Sequence, residues 1–196
     1  MQGMTGTAPT LIDAIWPRQS GGIVRMALLA VVGSILMALS ARTQVPMWPV
    51  PMTMQTFAVL VIGMAYGYRL AGATLLLYLA EGAVGLPVFA SGGGIAYFAG
   101  PTTGYLVGFL VAAVFVGWLG EKGWDRSVPL TFIAMLGGTA IIFVLGVAWL
   151  SVFLNDVQAA FANGFTPFIV GAFVKIALAA AVLPVVWRVA IRKRGV

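Results

Sequence analysis

The amino-acid sequence predicts an all-α integral membrane protein with six transmembrane helices and both termini in the cytoplasm. Its 196 residues are 61% hydrophobic and only 8% charged, with a mean hydropathy of +1.04. Soluble domains carry about 25% charged residues, so this chain cannot cover itself with a water-compatible surface. Six long apolar runs give the number of helices, and a one-sided distribution of basic residues gives their orientation.

Each predicted helix is an apolar run of about 20 residues, which at 1.5 Å per residue crosses a hydrocarbon core of about 30 Å. The six spans are 23–41, 53–67, 70–86, 101–119, 129–150 and 166–187, of which the second is short. Prolines lie at or near three of the starts, where helices accept them. The chain thus divides into an N-terminal segment 1–22, a membrane domain 23–187 and a basic tail 188–196.

Basic residues are concentrated between alternate pairs of helices and at the two ends of the chain. One side has Arg42 alone, whereas the other has nine: Arg18, Arg25, Arg69, Lys122, Arg126, Arg188, Arg192, Lys193 and Arg194. By the positive-inside rule the side with nine is cytoplasmic. The external side then carries the loops 42–52, 87–100 and 151–165. These loops are the longer ones, so we expect binding residues there.

The composition also excludes several classes of function. The chain has no cysteine and no histidine, which removes thiolate chemistry, the usual general base and the commonest transition-metal ligand. An intramembrane hydrolase is therefore disfavoured, and we expect no enzymatic activity, no metal and no cofactor. The scattered basic residues do not indicate nucleic-acid binding. The SGGG run at 91–94 lacks the lysine and serine of a phosphate-binding loop.

Three polar residues within the predicted spans are candidates for a binding site. Lys175 lies inside the sixth span, where a lysine costs roughly 2.5–3.5 kcal/mol on insertion scales. It could meet an anionic substrate, form a structural ion pair or reach outward to the membrane surface. Glu81 lies at a similar depth and could either neutralise Lys175 or accept hydrogen bonds from a substrate. Gln55 could cap the second helix or contact a ligand.

Small residues recur every four positions in two helices, and such stripes let helix backbones approach closely in lipid. The fourth helix carries Gly100, Gly104, Gly108 and Ala112, which must pack inside the chain. The first carries Ala30, Ser34 and Ala38, which could pack internally or dock another membrane protein. Asn155, Asp156 and Asn163, in or beside the third external loop, are typical of turns and helix caps.

Residues 44–56, QVPMWPVPMTMQT, place Pro46, Pro49 and Pro51 within six positions between two apolar helices. Prolines this dense exclude a helix, yet Trp48 and its neighbours are too apolar for an ordinary solvated turn. The sequence therefore predicts a stiff, apolar, non-helical segment.

This segment, followed by YLAEGAVGLPVFASGGG and FAGPTTGYLVGF, resembles the BioY family. Its members are the biotin-specific substrate-binding components of energy-coupling-factor (ECF) vitamin transporters, and the resemblance covers residues 25–187. It implies six helices with cytoplasmic termini and a bacterial cell (inner or plasma) membrane location. It also implies a lid formed by Pro46, Trp48, Pro49 and Pro51. Partners would be a membrane-embedded energy-coupling (T) component, docked on the Ala30, Ser34 and Ala38 stripe, and two ABC-type ATPase subunits.

Biotin suits the polar residues of this chain. Its carboxylate would bind Lys175, and its ureido ring would bind Gln55 and Glu81. Its apolar rings would contact the aromatic residues at the external end, Trp48, Phe89, Tyr97 and Tyr105. The chain departs from the family pattern at Ala172, where BioY sequences typically have an aspartate. A component for another carboxylated vitamin and a structural membrane subunit are the alternatives.

Overall fold

The computed structural model describes residues 10–16 and 22–192, apart from the side chains of residues 191 and 192. Most of the predicted N-terminal segment, including Arg18, lies outside the described residues, as do Lys193 and Arg194 in the tail. The α-helices are α1 (Leu11–Ile15), α2 (Gly22–Arg42), α3 (Gln55–Tyr66), α4 (Tyr68–Ala83), α5 (Thr103–Glu121), α6 (Val128–Leu154), α7 (Val157–Gly164) and α8 (Ile169–Arg192). Short 3₁₀ helices cover Ile95–Ala99, Trp124–Arg126 and Thr166–Phe168.

The mostly helical, membrane-spanning architecture is as predicted. Four helical segments in the described part of the chain are long and apolar enough to cross a membrane: Gly22–Arg42, Thr103–Glu121, Val128–Leu154 and Val157–Ala190. Helices α3 and α4 have 12 and 16 residues. At 1.5 Å per residue they reach about 18 and 24 Å, short of a 30 Å core. The count of six spans therefore stays a prediction.

Helices α3 and α4 form a hairpin through a single glycine. Gly67 has φ +79°, a conformation that favours glycine, and a Cβ there would lie 2.5 Å from Oε1 of Glu121. The turn therefore brings the end of α3, the start of α4 and the end of α5 together. We call this end of the bundle, with α1, Gly67 and residues 122–127, the short-turn end.

Helix α5 lies at the centre of the bundle and packs against α3, α4 and α6. Gly104, Gly108 and Ala112 of the predicted stripe make this possible, whereas Gly100 lies before the start of α5. A Cβ at Gly104 would lie 2.4 Å from the carbonyl oxygen of Leu145, and one at Gly108 would lie 3.0 Å from Cα of Ile142. The two backbones are thus in direct contact, and Ala112, further along the stripe, is fully buried.

Helix α1 was not predicted, and Arg25 explains why it forms. The guanidinium of Arg25 donates to the carbonyl oxygens of Ile12 (3.2 Å) and Trp16 (2.5 Å) at the end of α1. It also forms an ion pair of 3.0 Å with Asp13. A cation at a helix C-terminus stabilises carbonyls that have no partner within the helix. Leu11 is buried beneath this clamp, so α1 covers the short-turn end.

The opposite end of the bundle carries residues 43–54, 84–102 and 155–168, and we call it the long-loop end. Part of the predicted third loop is helical, because α6 extends to Leu154 and α7 follows. Asn155 ends α6 in the left-handed conformation (φ 50°), and the Asp156 side chain accepts from the Ala159 amide at 3.0 Å. These two residues are turn and cap residues, as predicted. Asn163 lies inside α7 and bonds the Ala159 carbonyl.

Candidate functional site

A cavity opens at the long-loop end between α3, α5, α6 and α8. It encloses about 730 Å³ of empty space, its open mouth included. Val50 and Pro51 of the proline-rich segment and Phe89, Ala90 and Tyr97 of the next loop lie around it. Its other lining residues are Thr53, Gln55, Thr56, Leu60, Thr102, Tyr105, Leu106, Phe109, Thr139, Phe143, Phe168, Ala172 and Lys175. Mostly apolar walls with a few placed polar groups are typical of small-molecule sites.

Among the residues that the structure describes, Lys175 is the only charged one that lines this cavity. It is half-buried on α8, and its Nζ donates to the carbonyl oxygen of Thr53 (2.6 Å) and to Oγ1 of Thr56 (3.2 Å). Both partners are neutral, so they hold the ammonium without cancelling its charge. An ammonium has three donors, which leaves one for a ligand. The geometry thus presents a positive charge to the cavity.

Gln55 is fixed by a hydrogen-bond relay behind the cavity wall. Its Nε2 donates to the hydroxyl of Tyr78 (2.8 Å), which in turn donates to the carbonyl oxygen of Val88 (3.0 Å). Its Oε1 accepts from Oγ1 of Thr53 at 3.2 Å. Gln55 and Tyr78 are both buried, so the amide is oriented before any ligand arrives.

Three aromatic side chains of the cavity are held in place by glycines and by one another. The ring of Phe89 packs on Gly82, where an added Cβ would lie 2.0 Å from Cζ of that ring. The ring centroids of Phe89 and Tyr97 are 4.7 Å apart. Tyr105 packs on Gly146 in the same way and donates its hydroxyl to the carbonyl oxygen of Gly164 at 2.7 Å. Packing of this kind gives the cavity rigid apolar walls.

Five of the seven predicted ligand residues line the cavity: Gln55, Phe89, Tyr97, Tyr105 and Lys175. Glu81 does not. Its carboxylate accepts a hydrogen bond from Ser34 on α2, whereas the Lys175 ammonium donates to Thr56 on α3. The expectations that Glu81 neutralises Lys175 or faces the ligand are therefore both wrong in the described structure, because α4 turns this side chain toward α2.

The proline-rich segment is only partly a cover for the cavity. Strands β1 (Gln44–Val45) and β2 (Met52–Thr53) pair antiparallel at its base, which the sequence did not predict. Pro51 lines the cavity and Pro49 is buried, but Pro46 is exposed. Trp48 is 81% exposed and does not line the cavity, so its contact with a ligand stays a prediction. A side chain at the tip of the segment has no apolar neighbour to bury it.

The small-residue stripe of α2 faces the inside of the bundle. Ala30 and Ser34 are buried, and Ala38 is half-buried. On the same side of the helix, a Cβ at Gly33 would lie 2.5 Å from Cγ2 of Thr74 on α4. The structure therefore supports internal packing of the stripe, the alternative that the sequence left open, over its use as a docking face.

Four residues that shape the site were not predicted from the sequence: Thr53, Thr56, Tyr78 and Thr139. Threonine and tyrosine in apolar helices give a weak signal, because most of them bond within their own helix or pack in a core. Only the fold shows that Thr56 faces α8 and that Tyr78 stands behind Gln55. A hydroxyl on one face of an otherwise apolar helix is the available hint.

The match to a family model settles the relationship of this chain. The model of the BioY family matches residues 10–192. This chain belongs to the BioY family. The BioY match therefore confirms the resemblance seen in the proline-rich segment and in the two motifs that follow it.

Individual relatives of this BioY-family chain agree. The biotin transporter BioY of Thermotoga maritima is 34% identical over 160 residues, which are 81% of this chain and 94% of the relative. The probable biotin transporter BioY of Pyrococcus horikoshii is 37% identical over 145 residues, 74% of this chain and 85% of the relative. These relatives are named as transporters, in agreement with the prediction that the chain is not an enzyme.

A solved structure shares the fold. The crystal structure of the S-component for biotin from an ECF-type ABC transporter matches with a TM-score of 0.77 and 22% identity. The match covers 87% of this chain and 95% of the other. At this identity the likeness establishes the helical fold alone.

Proposed function

We propose that this BioY-family protein is the biotin-binding substrate-specificity component of an ECF-type vitamin uptake transporter. Biotin enters the cavity at the long-loop end, which faces outward. The carboxylate accepts a hydrogen bond from the Lys175 ammonium, and the bicyclic ring lies against Phe89, Tyr97 and Tyr105. Gln55 contacts the ureido group.

One observation carries the proposal: the cavity is mostly apolar, and within the described part of the chain a single charged side chain, a cation, lines it. An ammonium that bonds only neutral groups in a largely dry site is complementary to a monoanion with an apolar body. Biotin has this form, and the family match and the named relatives point to it. The polar partners of the ureido ring are Gln55 and neutral hydroxyls, because Glu81 points elsewhere and Ala172 supplies no acid.

The membrane arrangement completes the proposal. Six helices, with α3 and α4 as a short pair, place both termini in the cytoplasm. The short-turn end then holds the basic residues Arg25, Arg69, Lys122 and Arg126, as the positive-inside rule requires. The segment with Pro46, Trp48, Pro49 and Pro51 is the lid, and closure would bring Trp48 over the bound ring. A membrane-embedded T component and two ABC-type ATPases in the bacterial cell membrane supply the energy.

Calorimetric titration of the purified protein with biotin tests this function. We expect a one-to-one complex with biotin and much weaker binding when biotin amide is titrated instead. Absence of binding in a protein that is monodisperse and thermally cooperative would contradict the proposal.

A component for a different carboxylated vitamin is the second candidate. It is favoured by Ala172, which lines the cavity where the family typically has an aspartate. Titration with lipoate, nicotinate and pantothenate beside biotin separates the two candidates, because only the true ligand will bind at low concentration.

A further inference from the structure

The hydroxyl of Thr139 makes no hydrogen bond to any residue that the structure describes. Thr74 and Thr131, also buried in helices, donate to the carbonyl oxygen four residues earlier at 2.8 Å. Thr56 accepts from Lys175, and Thr103 donates to Phe98. Among the helical threonines that the structure describes, Thr139 alone makes no side-chain hydrogen bond, although it is only 6% exposed.

Thr139 lies at the deep part of the cavity. It lines the cavity on α6, and its neighbour Gly138 contacts Leu60, where a Cβ would lie 2.5 Å from Cδ2. Leu60 lies four residues beyond Thr56 on α3, and Thr56 holds the Lys175 ammonium. Four residues correspond to about 6 Å along a helix. The hydroxyl is therefore about one helical turn deeper than the cation.

Helical threonines normally bond their own backbone, and a hydroxyl in an apolar wall that does not do so is unfavourable unless water or a ligand reaches it. Here the neighbouring lining residues, Leu60, Phe109 and Phe143, offer no polar side chain. Because Thr139 lines the cavity, a bound molecule or water can reach its hydroxyl. A ligand that carries a hydrogen-bonding group at the end opposite its carboxylate would satisfy it.

We propose that Thr139 is a specificity-determining residue that hydrogen-bonds the cyclic urea of the substrate, with the carboxylate held at Lys175 one turn nearer the mouth. This inference rests on the proposed function, since it requires a carboxylate ligand in the same cavity. It adds an orientation: the ring points inward and the carboxylate outward. It also adds a substrate class, carboxylates whose far end carries an amide or urea.

The test compares ligands with and without the urea on matched variants. Thr139→Val removes the hydroxyl and keeps the shape, and Thr139→Ser removes the methyl and keeps the hydroxyl. Thr74→Val is the control, because it removes a buried hydroxyl outside the cavity. Each protein is titrated with biotin, with desthiobiotin, which keeps the urea but not the sulfur, and with 5-(2-thienyl)pentanoate, which keeps the acid and has no urea.

We expect Thr139→Val to weaken biotin and desthiobiotin binding about tenfold or more and thienylpentanoate binding less than threefold. Thr139→Ser and Thr74→Val should bind biotin within about threefold of the unmodified protein. The inference is overturned if Thr139→Val binds biotin as tightly as the unmodified protein, or weakens all three ligands equally. In either case only the role of Thr139 would be refuted, because tight biotin binding by the unmodified protein would still support the proposed function. If the unmodified protein does not bind biotin, the proposed function fails and this inference falls with it. Thr139→Ala serves as a second hydroxyl-free variant if the valine variant melts early.

Discussion

The hydroxyl of Tyr78 orders the binding site without touching it, and Tyr78→Phe tests this. The substitution removes one oxygen that accepts from Gln55 Nε2 at 2.8 Å and donates to the Val88 carbonyl at 3.0 Å. A buried donor and a partly buried acceptor then lose their partners. Each such loss costs about 1–3 kcal/mol in water-soluble proteins, and interhelical bonds in membranes contribute less.

We therefore expect about 2 kcal/mol of destabilisation, which for a chain of this size lowers the melting temperature by about 4–8 °C. Biotin binding should weaken about tenfold as well, because the Gln55 amide is no longer oriented. Thermal melting in detergent and calorimetric titration measure the two effects. Tyr66→Phe is the control, since its hydroxyl makes one 3.2 Å bond to the Leu29 carbonyl and does not line the cavity. Unchanged melting and unchanged affinity in Tyr78→Phe would refute the relay.

Two further substitutions test the packing and the electrostatics of the fold. Gly104→Leu should lower the yield of folded protein or its melting temperature sharply, because even a Cβ would overlap α6, whereas Gly22→Leu, with open space around it, should not. A Gly104→Leu variant that melts normally but does not bind biotin would contradict this. Asp125, in the loop between α5 and α6, is fully buried, and burial raises the pKa of its carboxyl to about 6. Because the pKa of Asp125 is higher in the folded state than in the unfolded state, the folded state binds more protons between these two pKa values. Stability should therefore fall as the pH rises from about 4 toward 7, and Asp125→Asn should abolish that slope. Equal slopes of melting temperature against pH in both proteins would contradict it.

Sequence patterns predicted the structural features that depend on the surrounding solvent or on neighbouring residues in the chain. Lipid exposure sets the apolar runs, and close backbone contact sets the glycine stripe. The caps at Asn155 and Asp156 follow from local turn chemistry. The cation Lys175 could be assigned to a site because a lysine at that depth is costly unless it has a role.

What could not be predicted depends on contacts between distant residues. Helix α1 has only five residues and needs Arg25 to stabilise its end. Glu81 was misassigned because depth alone does not say which neighbouring helix a side chain faces, and α4 turns it toward Ser34. The exposed position of Trp48 could not be predicted, because an aromatic residue in an apolar segment does not indicate which way a loop tip points. Thr139 was missed because an isolated hydroxyl shows its lack of a partner only after folding.

The central claim is that Lys175 selects a carboxylate, and one comparison tests it most directly. Affinities of biotin and of biotin amide are measured for the unmodified protein and for Lys175→Ala. Stranding a buried carboxylate without its cation costs roughly 3–5 kcal/mol, which at about 1.4 kcal/mol per tenfold is two to four orders of magnitude. We expect the Lys175→Ala variant to lose that much affinity for biotin and far less for the amide, so that its preference for the acid disappears. Equal losses for acid and amide, with the preference retained, would contradict it.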